Sequence, residues 1–260
     1  MLKKLIQKVI RRINIFFFHK TLPKKICIYF HDVTGHEVEE LENLIQFFQY
    51  LKYEFTTIEK INSDINSGFK QINISFDDGF KSWIKVIEIF DRYQIKCTFF
   101  LNTVLLTEEN IQNFCKQIQM NSSDEHLLLN KEEFLFILQS GHEIGSHTHN
   151  HYKLSSLNNK KFEYEINKNL ELLTNNNGLT INTFAIPYGM RRYILKKQII
   201  ELKKKFKVIC YGEPGMQFSH KKGEIQRYPW VSKSSFYRNL MNLSTDSSLF
   251  NLITRRSGIG

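Results

Sequence analysis

Two adjacent carboxylates, Asp77 and Asp78, end the apolar run ISFDDGF, with Gly79 inside the same motif. A glycine there lets the backbone turn sharply at little steric cost. In a continuing strand the two acids would point to opposite faces, but a turn at the strand end can aim both into one pocket. One carboxylate could then hold a metal while the other moves protons. Alone, Asp-Gly is only a turn signal. The stretch GHEIGSHTHNH adds His142, His147, His149 and His151, four of the chain's 9 histidines. The spacing of His147 and His151 predicts two imidazoles on one side of a helical turn, which suits zinc with nitrogen ligands at about 2.0–2.1 Å. With Asp78 as third ligand, a fourth position stays open to water, the composition of a catalytic zinc site. His149 is expected to point away from the metal. His142 and His149 read as hydrogen-bonded members of a polar surface turn. In TFAIPYG, Pro187 and Gly189 shape a turn whose backbone N–H groups near Tyr188 could face the cavity as donors to a developing oxyanion.

These groups need elements to carry them. Short β-rich runs are predicted at residues 25–31, 72–78, 96–102, 142–148, 183–189, 207–212 and 225–230, with helical patterns over 80–93, 131–140, 160–173 and 191–205. Near-continuously apolar strands joined by helical crossovers predict an α/β fold with a parallel sheet under helices, and seven such units predict a barrel. His31, Asp77, Asp78, His147, His151 and Tyr188 all lie at or just beyond a strand's C-terminal end. In β/α barrels that rim is where catalytic groups converge. Residues 102–130 are too many for a plain loop and are expected to carry an extra helix beside the site.

With 42% hydrophobic and 24% charged residues, and only 12 Gly and 4 Pro in 260 residues, the chain is neither disordered nor collagen-like. Residues 25–260 are expected to form a single domain. The net charge of +10 is front-loaded, because Lys3, Lys4, Lys8, Arg11, Arg12, Lys20, Lys24 and Lys25 all precede the first acid, Asp32. Among them Leu2, Leu5, Ile6, Val9, Ile10, Ile13 and Phe17 recur at steps of three and four, so residues 1–24 read as a basic amphipathic segment. Such a helix could lie on an anionic membrane surface, or pack on the domain with its cations in water. No apolar run reaches the roughly 18 residues of a spanning helix. The early cations also break any secretory h-region, so no cleaved signal is expected. Lysines elsewhere are mixed with acids and no recognition motif is present, so no nucleic-acid partner is expected. Cys27, Cys97, Cys115 and Cys210 have no metal or disulfide spacing and read as small buried hydrophobes, which favours a reducing compartment.

Taken in order, FDDGF, CTFFLN, GHEIGSHTHNHYKL and FAIPYG resemble the polysaccharide deacetylase family, the carbohydrate esterases with a NodB homology domain, over about residues 25–230. The resemblance implies a distorted (β/α)7 barrel that removes acetyl groups from N-acetylated amino sugars, usually with zinc (Zn2+). It implies Asp78, His147 and His151 as metal ligands and Asp77 as general base. Two departures matter. Many members have an arginine where this chain has Ala185, and Arg227 in QRYPW could substitute for it. No late Leu-x-His motif supplies a general acid. The early HDV resembles the circularly permuted biofilm poly-N-acetylglucosamine deacetylases, which makes His31 the candidate acid; the alternative is a buried histidine bonded at a strand end.

The expected reaction is metal-assisted amide hydrolysis that releases acetate. The basic start suggests a cytoplasmic enzyme, peripheral on the inner membrane face, acting on a glycan or lipid-linked glycan precursor. An exported wall or matrix polysaccharide deacetylase is the near alternative. A catalytically silent, metal-containing glycan-binding module is the alternative from another class. Beyond the barrel, Leu240, Leu243, Leu249 and Leu252, with Arg255 and Arg256, would suit a second surface contact.

Overall fold

Isoleucine and aromatic residues recur through KICIYF and QINISFD, and both segments form buried strands, β1 (Lys25–Phe30) and β3 (Gln71–Asp77). The computed structural model describes residues 22–175, 178–213, 220–231, 234–236, 238–240 and 243. The strands β4 (Thr98–Leu101), β5 (Glu143–Ser146), β6 (Thr183–Ala185) and β7 (Val208–Tyr211) follow, each parallel to its neighbour. A two-residue strand, β2 (Glu54–Phe55), pairs with the start of β3. The last stave is broken. β8 (Glu224–Gln226) pairs with β7, whereas β9 (Tyr228–Pro229) pairs with β1 at the opposite end of the sheet. Because Arg227 alone separates them, one stretch of chain closes the sheet into a barrel. Counting β8 and β9 as one stave and setting aside the short β2, the barrel has the seven-unit parallel architecture that the sequence predicts.

Helices α1 (His36–Tyr50), α3 (Trp83–Arg92), α6 (Lys131–Gln139), α7 (Asn159–Thr174) and α8 (Lys196–Lys205) surround the barrel, and α2 (Ile58–Ser63) joins the apolar cluster inside it. The segment after β4 carries two further short helices, α4 (Val104–Thr107) and α5 (Ile111–Gln117). α1 is a helix the strand and helix patterns above do not mark, although Leu41, Leu44, Ile45 and Phe48 bury one face at helical spacing. Alternation along the strands divides the core. Ile26, Ile28, Phe76, Trp83, Phe90 and Phe99 pack between barrel and helices. Cys27, Phe100, Ala185 and Cys210 fill the interior with Ile58 and Ile61. Gly145 is required here, because a Cβ would stand 2.4 Å from the Phe100 ring.

All four cysteines are buried. Residues 1–21, which carry most of the basic amphipathic segment, lie outside the described residues, as do Leu249, Leu252, Arg255 and Arg256. Leu240 and Leu243 correct the expected surface contact: both are buried in the main core, where apolar side chains gain most from leaving water. Among the described residues no helix is long and apolar enough to cross a membrane.

At the N-terminal end of the strands, Glu143 at the start of β5 accepts the Ile58 and Glu59 N–H groups at 2.7 and 3.1 Å and the Thr98 hydroxyl at 2.5 Å. It thereby caps α2 from across the barrel. Burial pushes its carboxyl up to about 7, against the hydrogen bonds that favour its charged form. An acid whose pKa rises on folding stabilises the fold while protonated, so this contribution is complete below the ordinary glutamate range and fades as pH rises through about 7. Urea unfolding between about pH 4 and 8 should lose roughly 3 kcal/mol from this group. Glu143→Gln should flatten that slope.

Candidate metal centre and active site

At the end of β3 the backbone leaves the sheet abruptly, with positive φ at Asp78 (85°) and Gly79 (91°). A side chain at 79 would drive its Cβ to 2.3 Å from Leu105, so the turn needs glycine. Both acids are buried at the mouth of the barrel. Asp77 faces Arg227, which donates from both terminal nitrogens at 2.6 and 2.7 Å to the two carboxylate oxygens. One of these nitrogens also donates to Ser75 at 3.1 Å. The guanidinium lies between the Tyr29 and Phe100 rings, 4.7 Å from each centroid. Burial works to lower the Arg227 pKa, yet Asp77 outweighs it and holds the guanidinium charged. The residue that interrupts the last stave therefore fixes the orientation of the first acid.

Asp78 lies among imidazoles. Its Oδ1 is 3.3 Å from His147 Nε2 and 3.2 Å from His151 Nε2, and its Oδ2 is 3.8 Å from His31 Nε2. The first three residues offer ligand atoms all within 4.8 Å of one another, and all three are buried. His147 Nδ1 donates to the Ala185 carbonyl at 2.8 Å. A carbonyl only accepts, so the proton sits on Nδ1 and a neutral His147 turns the Nε2 lone pair toward Asp78. Asp78 Oδ1 is buried with no hydrogen-bond partner despite the short separations, and His151 Nδ1, the other nitrogen of that ring, is likewise unpartnered. Lone pairs this close, without hydrogen bonds between them, repel unless a cation lies among them. Tetrahedral ligands at about 2.0–2.1 Å from zinc stand roughly 3.3 Å apart, which matches the observed spacing. The residues therefore fit a divalent ion. Burial alone would raise the Asp78 pKa, but His151, His147 and His31 outweigh it and hold the carboxylate ionised. Burial pushes His151 down to about 4, so its imidazole is neutral and free to act as a ligand.

The histidines do not sit on a helical turn as their spacing predicts. β5 ends at Ser146, and the loop beyond it curls through positive φ at Thr148 (69°) and His151 (59°). Strain of this kind persists only where surroundings over-determine the backbone. Asn102 donates to the His147 and Thr148 carbonyls at 2.5 and 3.2 Å. From α7, Asn169 donates to Thr148 O at 2.7 Å and accepts the Ser146 hydroxyl at 2.6 Å. One turn earlier, Glu165 accepts the Asn150 N–H at 2.7 Å and its amide at 2.8 Å. Asn102 ends the CTFFLN motif without any sign of this role, and no motif announces Glu165 or Asn169. The only available hint was polar residues on the otherwise apolar inward face of α7. His142 and His149 also differ from the surface turn expected of them: both are buried, His149 against the Thr103 hydroxyl at 2.9 Å and His142 against Phe90 and Phe99.

A cavity of about 420 Å³ opens over the centre, lined by His31, Asp77, Asp78, His147, His151 and Tyr188 among others. All seven side chains that the sequence singles out thus meet here, with Arg227 behind Asp77. His31 stands at the cavity edge with about half its side chain exposed. Tyr188 has positive φ (61°), lays its ring 4.8 Å from His151 and donates its hydroxyl to the Gln117 carbonyl at 2.6 Å. The α4–α5 insertion therefore forms one wall of the site.

Residues 64–207, more than half of the chain, match the family model described as polysaccharide deacetylase. No curated protein matches. Among solved structures the chain is similar to IcaB from Ammonifex degensii, with a TM-score of 0.64 at 16% identity over 85% of this chain and 97% of that one. It is likewise similar to a de-N-acetylase from Aggregatibacter actinomycetemcomitans (TM-score 0.62, 17% identity, 84% and 99% covered). A third is the Streptococcus pyogenes deacetylase PplD (TM-score 0.60, 15% identity, 84% and 96% covered). At these identities the likeness speaks for the barrel alone.

Two outcomes follow from the geometry. Asn169→Ala should weaken zinc binding by about 10–100-fold in isothermal titration, as loss of a supporting hydrogen-bond partner does, while circular dichroism stays unchanged. Arg227→Gln should cost about 3–5 kcal/mol in urea unfolding, because it strands the buried Asp77 carboxylate.

Proposed function

The chain belongs to the polysaccharide deacetylase family and is an amide hydrolase; we propose that it removes the acetyl group from an N-acetylated amino sugar of a glycan, with zinc held by Asp78, His147 and His151. The observation that carries this reading is the convergence of three buried ligand atoms beside an acid already oriented by Arg227. Zinc, when bound there, supplies Lewis acidity that polarises the acetyl carbonyl and makes water easier to deprotonate.

The remaining work falls to the chain's own residues. Asp77 takes the proton of the attacking water; Arg227 spans both its oxygens and keeps it aimed. The backbone N–H of Tyr188, on a turn fixed by Pro187 and the Tyr188–Gln117 hydrogen bond, faces the oxygen on which negative charge develops. His31, half exposed and within 3.8 Å of Asp78, delivers a proton to the leaving amine. Water attack breaks the C–N bond, acetate takes the acyl carbon, and the sugar leaves with a free amine. Tyr188 and the α4–α5 insertion close one side of the cavity, so the acetamido group enters from the side of His31 and Phe80.

The basic amphipathic pattern of residues 1–24 supports a place for this reaction on the inner face of a membrane, with a lipid-linked glycan precursor as an alternative substrate. Fractionation of the full chain, with binding to anionic vesicles, tests that placement.

Asp77→Asn should retain zinc and lose acetate release by about 10²–10⁴-fold, whereas Asp78→Ala should lose the metal itself. Acetate release from N-acetylglucosamine oligomers, with metal content measured on the same samples, reads both. Full turnover by Asp77→Asn would remove the general base from this scheme.

A further inference from the structure

A second and larger cavity, about 980 Å³, adjoins the first and shares His31 and Phe80 with it. Its volume is at the upper end of the range of about 300–1,000 Å³ typical of ligand pockets. Phe30 and Trp230, stacked with ring centroids 5.9 Å apart, lie at its floor, and the hydroxyls of Thr34, Ser234 and Ser235 line its sides. An apolar floor of packed aromatic edges flanked by hydroxyls and carboxylates suits a sugar ring, and the shared wall places that ring next to the one held over the metal centre.

The charge of the cavity identifies which sugar. The chain carries 36 Lys and Arg against 26 Asp and Glu, yet the lining includes Asp32, Glu37 and Glu40 and no lysine or arginine among the described residues. Each carboxylate holds a neutral donor: Asp32 the Ser82 hydroxyl at 2.7 Å, Glu37 the Thr34 N–H at 3.0 Å and Glu40 the Trp230 indole N–H at 3.2 Å. Among the described residues none of the three forms an ion pair with a lysine or arginine, whereas Glu42 on the same helix is paired with Arg92. Nor do the three form a metal-holding group; the one such group among the described residues is Asp78, His147 and His151. Carboxylates not offset by a lysine or arginine around an open cleft attract a cation and repel phosphate. The ammonium of an amino sugar is the cation that the neighbouring centre itself generates.

We propose that this cavity is a binding subsite for a sugar residue that already carries a free ammonium, and that the chain prefers a partly de-N-acetylated glycan as substrate. The proposal rests on the deacetylase reading above for its second half only. In it, Glu37 and Glu40 on α1 take the ammonium, Phe30 and Trp230 support the ring, and His31 stands between the two sugars.

The test separates binding from turnover. A fully de-N-acetylated glucosamine tetramer has no amide to cleave, so isothermal titration with the zinc-loaded protein reads the subsite alone. The expected result is binding at least about fivefold tighter than for the N-acetylglucosamine tetramer, with that difference removed by the double substitution Glu37→Gln/Glu40→Gln and by high salt. Glutamine keeps the acceptors that hold Thr34 and Trp230, and the melting temperature of the variant checks that the fold is retained. In turnover, a mixed tetramer with one free amine should show a lower KM than the fully acetylated tetramer in the unsubstituted protein. The variant should act equally on both. Equal binding of the two tetramers, or a preference that survives in the variant, would overturn the proposal. Absence of acetate release from every oligomer would count against the deacetylase reading, and the titration would still decide the subsite.

Discussion

One aspartate carboxylate oxygen held within 3.3 Å of two imidazole nitrogens, without a hydrogen bond to either, is the constraint on which the rest of the molecule turns. Burying ionisable groups against one another is costly unless they are paired or hold a metal. Here the Ala185 carbonyl fixes the His147 tautomer and turns its free nitrogen inward, so the arrangement makes physical sense with a cation at its centre. The neighbouring Asp77 has the opposite solution, a bidentate arginine that spans both its oxygens. Two adjacent residues in the chain thus acquire different partners and different tasks.

Much of the barrel serves to pay for that centre. Positive φ at Asp78, Thr148, His151 and Tyr188 gathers backbone strain around a single cavity. Hydrogen bonds from Asn102, Glu165 and Asn169 hold the histidine loop, and the Tyr188 hydroxyl ties the fourth strained residue to the α4–α5 insertion. The break between β8 and β9 belongs to the same economy of form. Arg227, whose N–H still donates to the Tyr211 carbonyl of β7, links the strands that close the barrel on either side of it and reaches Asp77 in the interior.

The parts legible in sequence were those set by local pattern. Apolar strands with helical crossovers fixed the parallel barrel, and the residue types in FDDGF and HTHNH announced the metal group. α1 is equally legible in the apolar spacing of Leu41, Leu44, Ile45 and Phe48. The shape of the histidine loop was not legible, because its curl depends on Asn102 and Asn169, which are remote in sequence and become neighbours only when β4, β5 and α7 pack. The exchange of an arginine at Ala185 for Arg227 depends likewise on barrel closure. His142 and His149 looked like surface groups because polarity was read without the elements that cover them.

The central claim is that Asp78, His147 and His151 together hold one divalent ion. Anomalous diffraction at the zinc absorption edge, from crystals grown with added zinc, tests it most directly. The account predicts a single strong peak at about 2.0–2.2 Å from one oxygen of Asp78 and one nitrogen of each histidine. A well-ordered barrel with no peak there, or with the ion on other side chains, would contradict it.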